Sequence, residues 1–194
     1  MLIFWDQRLV FLATPKAGSS AIEMALESLA SVALQRPATL KHTDIGTYNR
    51  HLGPWLAAQT GEVFTTVALM REPVDWLRSW YRFKLRDDGD LSRDTLDGLG
   101  FADFTAAYCA AKGPGKLGVG TQSDFLTNGP ERVDQIFRYE RIDDFVDFLE
   151  GRLDCVIELP RINVPPSVDV HLDPAAEQQL RAAMANDLDL YQNL

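Results

Sequence analysis

The segment LVFLATPKAGSS, residues 9–20, constrains the fold more than any other part of the sequence. Its first residues, 9–13, form a short apolar run of the kind that is buried on both faces in a parallel sheet. Turn-forming and small residues interrupt the run at 14–20, and apolar residues then recur at helical spacing over 21–34. The pattern predicts a strand, a tight loop and a helix, in that order.

The rest of the chain alternates strand and helix patterns. The sequence predicts further strands at 63–70, 135–139 and 153–159, and helices at 48–59, 73–86, 101–111, 142–150 and 174–188. Strands that alternate with helices indicate an α/β fold, and we expect a three-layer sandwich with a central, mainly parallel sheet. No domain boundary is evident, so we expect a single domain over residues 1–194.

The formal net charge of −9 argues against several classes of partner. An acidic chain is poorly suited to bind DNA, RNA or an anionic membrane surface. No apolar run approaches the ~20 residues that span a bilayer, and the first residues lack the pattern of a signal peptide. We therefore expect a cytoplasmic protein with no nucleic acid partner. Cys109 and Cys155 lack zinc-site spacing, so we expect two reduced, partly buried thiols and no metal.

The loop TPKAGSS has the features of an anion site. Where a strand leads into a helix, free N–H groups and the helix dipole favour negative charge. Gly18 lets the backbone approach a ligand and Lys16 adds a positive charge. Ser19 and Ser20 can donate hydroxyl hydrogen bonds, whereas Ala17 offers only its amide. Lysine precedes glycine here, so this is not the ATP or GTP loop GxxxxGK[ST]; a plain turn with a serine cap is the alternative.

A second motif, ALMREPVDWLRSWYRF, covers residues 68–83. Arg71 follows the strand predicted at 63–70, and ligands of doubly wound sheets bind where strand carboxyl ends open onto helices. An arginine there can bind a phosphate through two parallel hydrogen bonds. Ser79 lies further on, in the predicted helix. A solvated arginine and a serine without a role are the alternative interpretation.

Together the two motifs resemble the PAPS-dependent sulfotransferase family, in its carbohydrate-type and bacterial branch. PKAGSS is similar to the family's 5′-phosphosulfate loop PK[ST]G[ST][ST], with Ala17 at a position that is often Ser or Thr. Arg71, Ser79 and the aromatic pair after them resemble the family's 3′-phosphate site. The resemblance implies a P-loop NTPase-like sulfotransferase fold. It also implies transfer of a sulfuryl group from 3′-phosphoadenosine-5′-phosphosulfate (PAPS) to a hydroxyl or amine, with release of 3′,5′-ADP and without a metal.

Weaker matches extend the resemblance along the chain. FRYERIDDF resembles the family's YE[DN] segment and would place Tyr139 against the adenine; a buried core tyrosine is the alternative. GTQSDFL and PRINVPP resemble later segments and would place Gln122 and Asn163 near the cleft. The family's late Arg-Lys-Gly element is not evident, so Lys116 or Arg161 would take its place.

Catalytic roles fall to Lys16 and His42. Lys16 would neutralise the bridging oxygen as 3′,5′-ADP leaves. LKHTDI resembles the KHxT segment of carbohydrate-type members, so His42 would be the general base toward the acceptor. The other candidates for the base are His51, His171, Glu23 and Asp44. The acceptor would be a small molecule, a simple carbohydrate or a lipid head group.

The residues leave two other functions open. A P-loop nucleotide or nucleoside kinase would need lysine after the glycine and a magnesium-binding acid at a strand end, and neither is evident. A non-catalytic module that binds PAPS or 3′,5′-ADP would keep the loop but would need no general base.

Overall fold

The computed structural model describes residues 1–85, 98–111, 115–160 and 168–194. Within these residues the fold is α/β, with a five-stranded mixed sheet, a two-stranded ladder and helices. The strands are β1 Leu2–Phe4, β2 Leu9–Leu12, β3 Val32–Ala33, β4 Thr65–Met70, β5 Thr127–Asn128, β6 Glu131–Arg132 and β7 Gln135–Arg138. The helices are α1 Ser19–Leu26, α2 Ala38–Lys41, α3 Ile45–Thr47, α4 Gly53–Thr60, α5 Pro73–Lys84, α6 Phe101–Ala110, α7 Gln122–Leu126, α8 Ile142–Leu153, α9 Pro174–Ala183 and α10 Ala185–Gln192, with a π-helical turn at Tyr48–Leu52 and a 3₁₀ turn at Tyr139–Arg141.

The chain forms two compact units. Unit 1 takes in Met1–Arg71, Gln122–Ile162 and Leu194, and unit 2 takes in Glu72–Thr121 and Asn163–Asn193. The single domain over residues 1–194 stays a prediction.

The large sheet belongs to unit 1 and has the order β3-β1-β2-β4-β7. Strand β4 pairs in parallel with β2 and β7, whereas β1 pairs antiparallel with β2 and β3. The sheet is therefore mixed rather than mainly parallel. The reason is the tight turn at 5–8, since a parallel return would need a crossover of a dozen or more residues.

The parallel part of the sheet brings three strand ends to one edge. Strands β2, β4 and β7 run in the same direction, and Met70 at the end of β4 pairs with Arg138 at the end of β7. Ala13 and then the loop that begins at Thr14 follow β2, Arg71 follows β4 and Tyr139 follows β7. The residues that the motifs singled out therefore leave the sheet at the same edge.

The core of unit 1 lies on one face of this sheet. Alternate strand residues face the same side, and α1 and α8 add Ile22, Leu26, Phe145 and Leu149 to the cluster. The strand residues of the cluster are Leu2, Phe4, Leu9, Phe11, Val67 and Leu69. The intervening residues of β2 and β4 are buried too, so both faces of these strands are covered.

Unit 2 is helical in its described part. Its core cluster takes Leu77 and Tyr81 from α5, Phe104 from α6 and Leu180 from α9. The Tyr81 and Phe104 rings lie 5.4 Å apart between centroids. Helix α5 begins as the sequence predicts, with Pro73 in its first turn and the Glu72 carboxylate accepting a hydrogen bond from a backbone N–H of that turn.

The helix predicted at 21–34 is shorter than expected. Helix α1 ends at Leu26, because the chain then turns and residues 32–33 join the sheet as β3. The Ser31 N–H donates to the Ile3 carbonyl at 2.8 Å, which fixes this return.

Two predictions near the carboxyl end are wrong. The strand expected at 153–159 is in neither ladder; α8 continues to Leu153, and Asp154 ends it in a left-handed conformation with φ of 52°. The helix expected at 174–188 is divided at Met184, which is buried in the unit 2 core, whereas Ala183 is exposed.

Candidate functional site

The loop TPKAGSS joins β2 to α1 in unit 1. Lys16 and Gly18 both have left-handed backbone angles, with φ of 62° and 78°. Gly18 immediately precedes α1 as its N-cap residue and, being glycine, has no side chain with which to cap the helix. Ala17 and Ser19 are buried, and Ser20 is half-buried. The start of α1 therefore keeps the positive end of its dipole at the loop, where an anion is favoured.

Thr14, the first residue of the loop, is buried. Its side chain is 1% exposed, and within the described part of the chain its hydroxyl oxygen has no hydrogen-bond partner. A buried hydroxyl without a partner is costly, and native structures contain few of them.

Arg71 lies beside the loop and is held at both its main chain and its side chain. Its N–H donates to Gln122 Oε1 at 2.9 Å, and its carbonyl accepts from Gln122 Nε2 at 2.8 Å. Its Nη1 donates to the Lys16 carbonyl at 3.3 Å, and its guanidinium carbon lies 4.8 Å from the centre of the Tyr139 ring. The two main motifs of the sequence therefore meet within unit 1.

Tyr139 also contacts the loop directly. A Cβ atom added to Gly18 would lie 2.7 Å from Tyr139 Cε2, so only glycine fits beneath the ring. Tyr139 is half-buried. Its predicted contact with adenine stays a prediction.

His42 is anchored at the residue that precedes the loop. Its Nδ1 lies 2.6 Å from the Ala13 carbonyl oxygen. Because a carbonyl only accepts, Nδ1 carries the proton and Nε2 keeps its lone pair. Burial lowers the pKa of His42 and nearby Lys41 lowers it further, against the hydrogen bond to Ala13 and the charge of Glu23. The imidazole is therefore neutral near pH 7, which is the state that a general base requires.

Glu23, one of the candidate bases in the sequence, contacts a basic group through each of its two carboxylate oxygens. Glu23 is 3% exposed in α1. Its Oε1 accepts from the amino group of Met1 at 3.0 Å, and its Oε2 lies 2.6 Å from Lys41 Nζ. Both carboxylate oxygens of Glu23 are therefore already paired within unit 1.

The other three candidates for the base are an aspartate that caps a helix and two exposed histidines. The Asp44 carboxylate caps α3 by accepting hydrogen bonds from Thr47 N at 2.8 Å and Thr47 Oγ1 at 3.0 Å. His51 and His171 are exposed.

Lys41 is a basic residue of this site that sequence reasoning missed. Besides its ion pair with Glu23, its Nζ lies 3.4 Å from Ser20 Oγ. Its side chain is 19% exposed, so a ligand can reach it. The only signal in the sequence was its position beside His42 in LKHTDI.

Other predicted residues lie elsewhere. Ser79 is half-buried in α5 of unit 2, and Lys116 is exposed in unit 2. Arg161 and Asn163 fall outside the described residues. The roles of these four residues stay predictions.

The described ranges include both cysteines, but neither a candidate metal-binding cluster nor a helix that could span a membrane. They contain no group of three or more His, Cys, Asp or Glu side chains that could hold a metal ion. None of their helices combines the length and apolar character that crossing a bilayer requires. Cys109 and Cys155 are free and half-buried, as expected, and burial raises the pKa of the Cys109 thiol.

No family model, curated protein or solved structure matches this chain. The function of the protein is therefore inferred from the residues and the geometry of the site itself.

Proposed function

We propose that the protein is a PAPS-dependent sulfotransferase of P-loop NTPase-like fold. It would transfer a sulfuryl group from PAPS to a hydroxyl or amine of a small molecule, simple carbohydrate or lipid and release 3′,5′-ADP. The observation that carries the proposal is the meeting of three motifs at one sheet edge: the loop after β2, Arg71 after β4 and Tyr139 after β7. His42 is hydrogen-bonded through Nδ1 to the carbonyl of Ala13, the residue before that loop.

Binding of the donor follows from the charges at this edge. The loop amides, Ser20 and Lys16 would hold the 5′-phosphosulfate at the start of α1, where the helix dipole favours an anion. The Arg71 guanidinium would hold the 3′-phosphate, for which its planar donors are well suited. The proposed role of Ser79 in binding the 3′-phosphate is supported by the sequence motif alone.

Positioning and charge stabilisation are the main tasks of the protein in such a transfer. PAPS supplies an activated sulfuryl group. The acceptor oxygen or nitrogen bonds to sulfur as the bond from sulfur to the 5′-phosphate oxygen breaks. Nε2 of His42 takes the acceptor proton, and Lys16 stabilises the negative charge on the departing oxygen.

The neutral His42 favours an enzyme over a non-catalytic nucleotide-binding module. A binding module needs donors for phosphate, whereas the His42 imidazole, hydrogen-bonded through Nδ1 to the Ala13 carbonyl, leaves on Nε2 a lone pair that can accept a proton. A kinase of the P-loop type is disfavoured because Lys16 precedes Gly18 in the loop.

A thermal-shift panel tests the donor class. We expect 3′,5′-ADP to raise the melting temperature without magnesium, and to do so at lower concentrations than 5′-AMP, ATP or GTP, because only a nucleotide that binds the native state stabilises it. PAPS with a set of hydroxyl and amine acceptors then tests transfer directly. Stabilisation by ATP that depends on magnesium, or equal stabilisation by 3′,5′-ADP and 5′-AMP, would contradict the proposal.

Arg71→Ala provides the matching test of the 3′-phosphate contact. Loss of a charge-assisted bidentate contact costs about 1.5–3 kcal/mol, so the preference for 3′,5′-ADP over 5′-AMP should fall about 10- to 150-fold. The exposed Arg132 provides the control, since Arg132→Ala should leave the preference at the parental value. An unchanged preference in Arg71→Ala would remove this residue from the donor site.

A further inference from the structure

We propose that Gln122 and Tyr139 are positioning residues that hold Arg71 against the phosphate loop, so that the loop and Arg71 bind the two phosphate groups of one nucleotide as a single unit. The inference depends on the proposed function, because it explains how the same site would select a nucleotide that is phosphorylated at both the 3′ and the 5′ position.

Gln122 fixes the main chain of Arg71. Its side-chain amide donates to the Arg71 carbonyl at 2.8 Å and accepts from the Arg71 N–H at 2.9 Å. Gln122 is fully buried, and its amide continues the hydrogen bonding of β4 beyond Met70, the last strand residue. Main-chain groups of a folded protein need partners, so this amide determines where the chain leaves the strand.

Tyr139 fixes the side chain of Arg71. The guanidinium lies over the Tyr139 ring at 4.8 Å, a distance at which the ring face attracts a cation. Arg138, which precedes Tyr139, pairs with Met70, which precedes Arg71. The sheet register therefore places ring and guanidinium side by side.

The same pair is joined to the loop at two points. Nη1 of Arg71 donates to the carbonyl of Lys16 at 3.3 Å. On the other side, the Tyr139 ring lies so close to Gly18 that a Cβ there would be 2.7 Å from Cε2. A change in the position of Arg71 would therefore disturb the backbone that surrounds the 5′-phosphate.

The consequence is preorganisation of the arginine. A free arginine side chain has many rotamers, and ordering it during binding reduces affinity. Tyr139 and Gln122 remove this cost before the nucleotide arrives. Both residues should therefore increase affinity for a nucleotide with a 3′-phosphate and contribute little to affinity for one that lacks it.

The test compares the dissociation constants of 3′,5′-ADP and 5′-AMP by calorimetry in parent, Tyr139→Leu, Tyr139→Phe and Gln122→Met. We expect Tyr139→Leu to lower the preference for 3′,5′-ADP about tenfold, because the ring face is lost. Tyr139→Phe should restore the preference, because phenylalanine keeps that face. Gln122→Met should lower the preference through loss of both hydrogen bonds to Arg71.

A structural role without positioning would give a different result. Loss of general packing would weaken both nucleotides equally and leave the ratio of their dissociation constants unchanged. In the Arg71→Ala background, Tyr139→Leu should not change the ratio further, because two residues that act through one contact are not additive. If Gln122→Met does not fold by circular dichroism, the two Tyr139 variants decide the test.

The outcomes separate the inference from the proposed function. A parent that prefers 3′,5′-ADP, with a preference that survives in Tyr139→Leu, would overturn the positioning role and leave the sulfotransferase proposal intact. A parent without any preference would overturn the donor assignment, and the inference with it.

Discussion

Lys16 is the residue on which charge stabilisation in the proposed reaction depends most directly. An interaction that strengthens only as charge develops lowers kcat when it is removed. We expect Lys16→Ala to lower kcat about 10²- to 10³-fold and to weaken 3′,5′-ADP binding far less. Transfer assays and calorimetry measure the two effects, with Lys16→Arg as the charge-retaining comparison. A variant that loses nucleotide affinity but keeps parental kcat would make Lys16 a binding residue only.

His42 is the second residue whose chemistry can be isolated. His42→Ala should lower sulfuryl transfer by about 10²–10⁴-fold, the usual effect of a positioned base. Binding of 3′,5′-ADP should stay near the parental value, because His42 would face the acceptor. The exposed His171 gives the control variant His171→Ala, which should keep parental transfer.

The pH profile gives an independent measure of His42. Since burial lowers its pKa, kcat/KM of the parent should begin to fall only below the ordinary histidine value of about 6.5. A fall that begins above this value, or parental turnover in His42→Ala, would contradict the assignment of the base.

Single residues of the site differ in how well the sequence predicts them. Lys16, Gly18 and Arg71 belong to motifs with fixed spacing, and their placement at one sheet edge was predictable. The hydrogen bond from His42 to Ala13 was not, because any residue carries a main-chain carbonyl. The contacts of Glu23 with Met1 and Lys41 were not predictable either, because these partners come from distant parts of the chain.

At the scale of elements, the start of α1 depends on Gly18. Its φ of 78° disfavours any residue with a Cβ, and that Cβ would also collide with Tyr139. Gly61 offers a matched control, because its φ is 75° and a Cβ added there would meet nothing within 4 Å. We expect Gly61→Ala to cost about 1–2 kcal/mol of unfolding free energy from the left-handed backbone alone.

Gly18→Ala should cost more than Gly61→Ala, because the collision with Tyr139 adds to the same backbone strain. Urea denaturation of both variants measures the difference. Equal losses of stability in the two variants would mean that the Tyr139 ring moves aside freely. The close contact between Tyr139 and the loop would then contribute nothing to the free energy of unfolding.

Element boundaries were less predictable than element types. Apolar residues continue at helical spacing to residue 34, but helical spacing does not reveal that 32–33 can pair with β1. The pairing depends on Ser31 reaching Ile3, a contact between distant parts of the chain. The same limit applies to 153–159, whose apolar residues fit a strand although one of them, Ile157, packs into the core of unit 1 without a ladder.

At the scale of the whole molecule, alternation of strands and helices correctly indicated an α/β fold. The alternation could not reveal β1, because the short apolar run at the start of the sequence is compatible with other secondary structures as well as with a strand. The hairpin of β1 and β2 makes the sheet mixed, yet it leaves β2, β4 and β7 parallel. The meeting of the loop, Arg71 and Tyr139 at one edge was therefore predictable even though the sheet type was not, because it depends only on those parallel strands.

The stability of the molecule should depend on His42 at mildly acidic pH. Its pKa is lowered in the folded protein, so between that pKa and about 6.5 the unfolded chain binds more protons and stability decreases as pH falls. Above about 6.5 both states are neutral at this residue and the effect is absent. Between these two pH values the free energy of unfolding decreases by at most about 1.4 kcal/mol per pH unit. His42→Gln removes the titrating group and keeps a donor for the Ala13 carbonyl. The decrease in unfolding free energy that protonation of His42 causes at acidic pH should therefore be absent in this variant. Urea unfolding of parent and variant from about pH 7.5 to about pH 5 measures the difference, and parallel curves for the two proteins would show that His42 is not buried as a neutral imidazole.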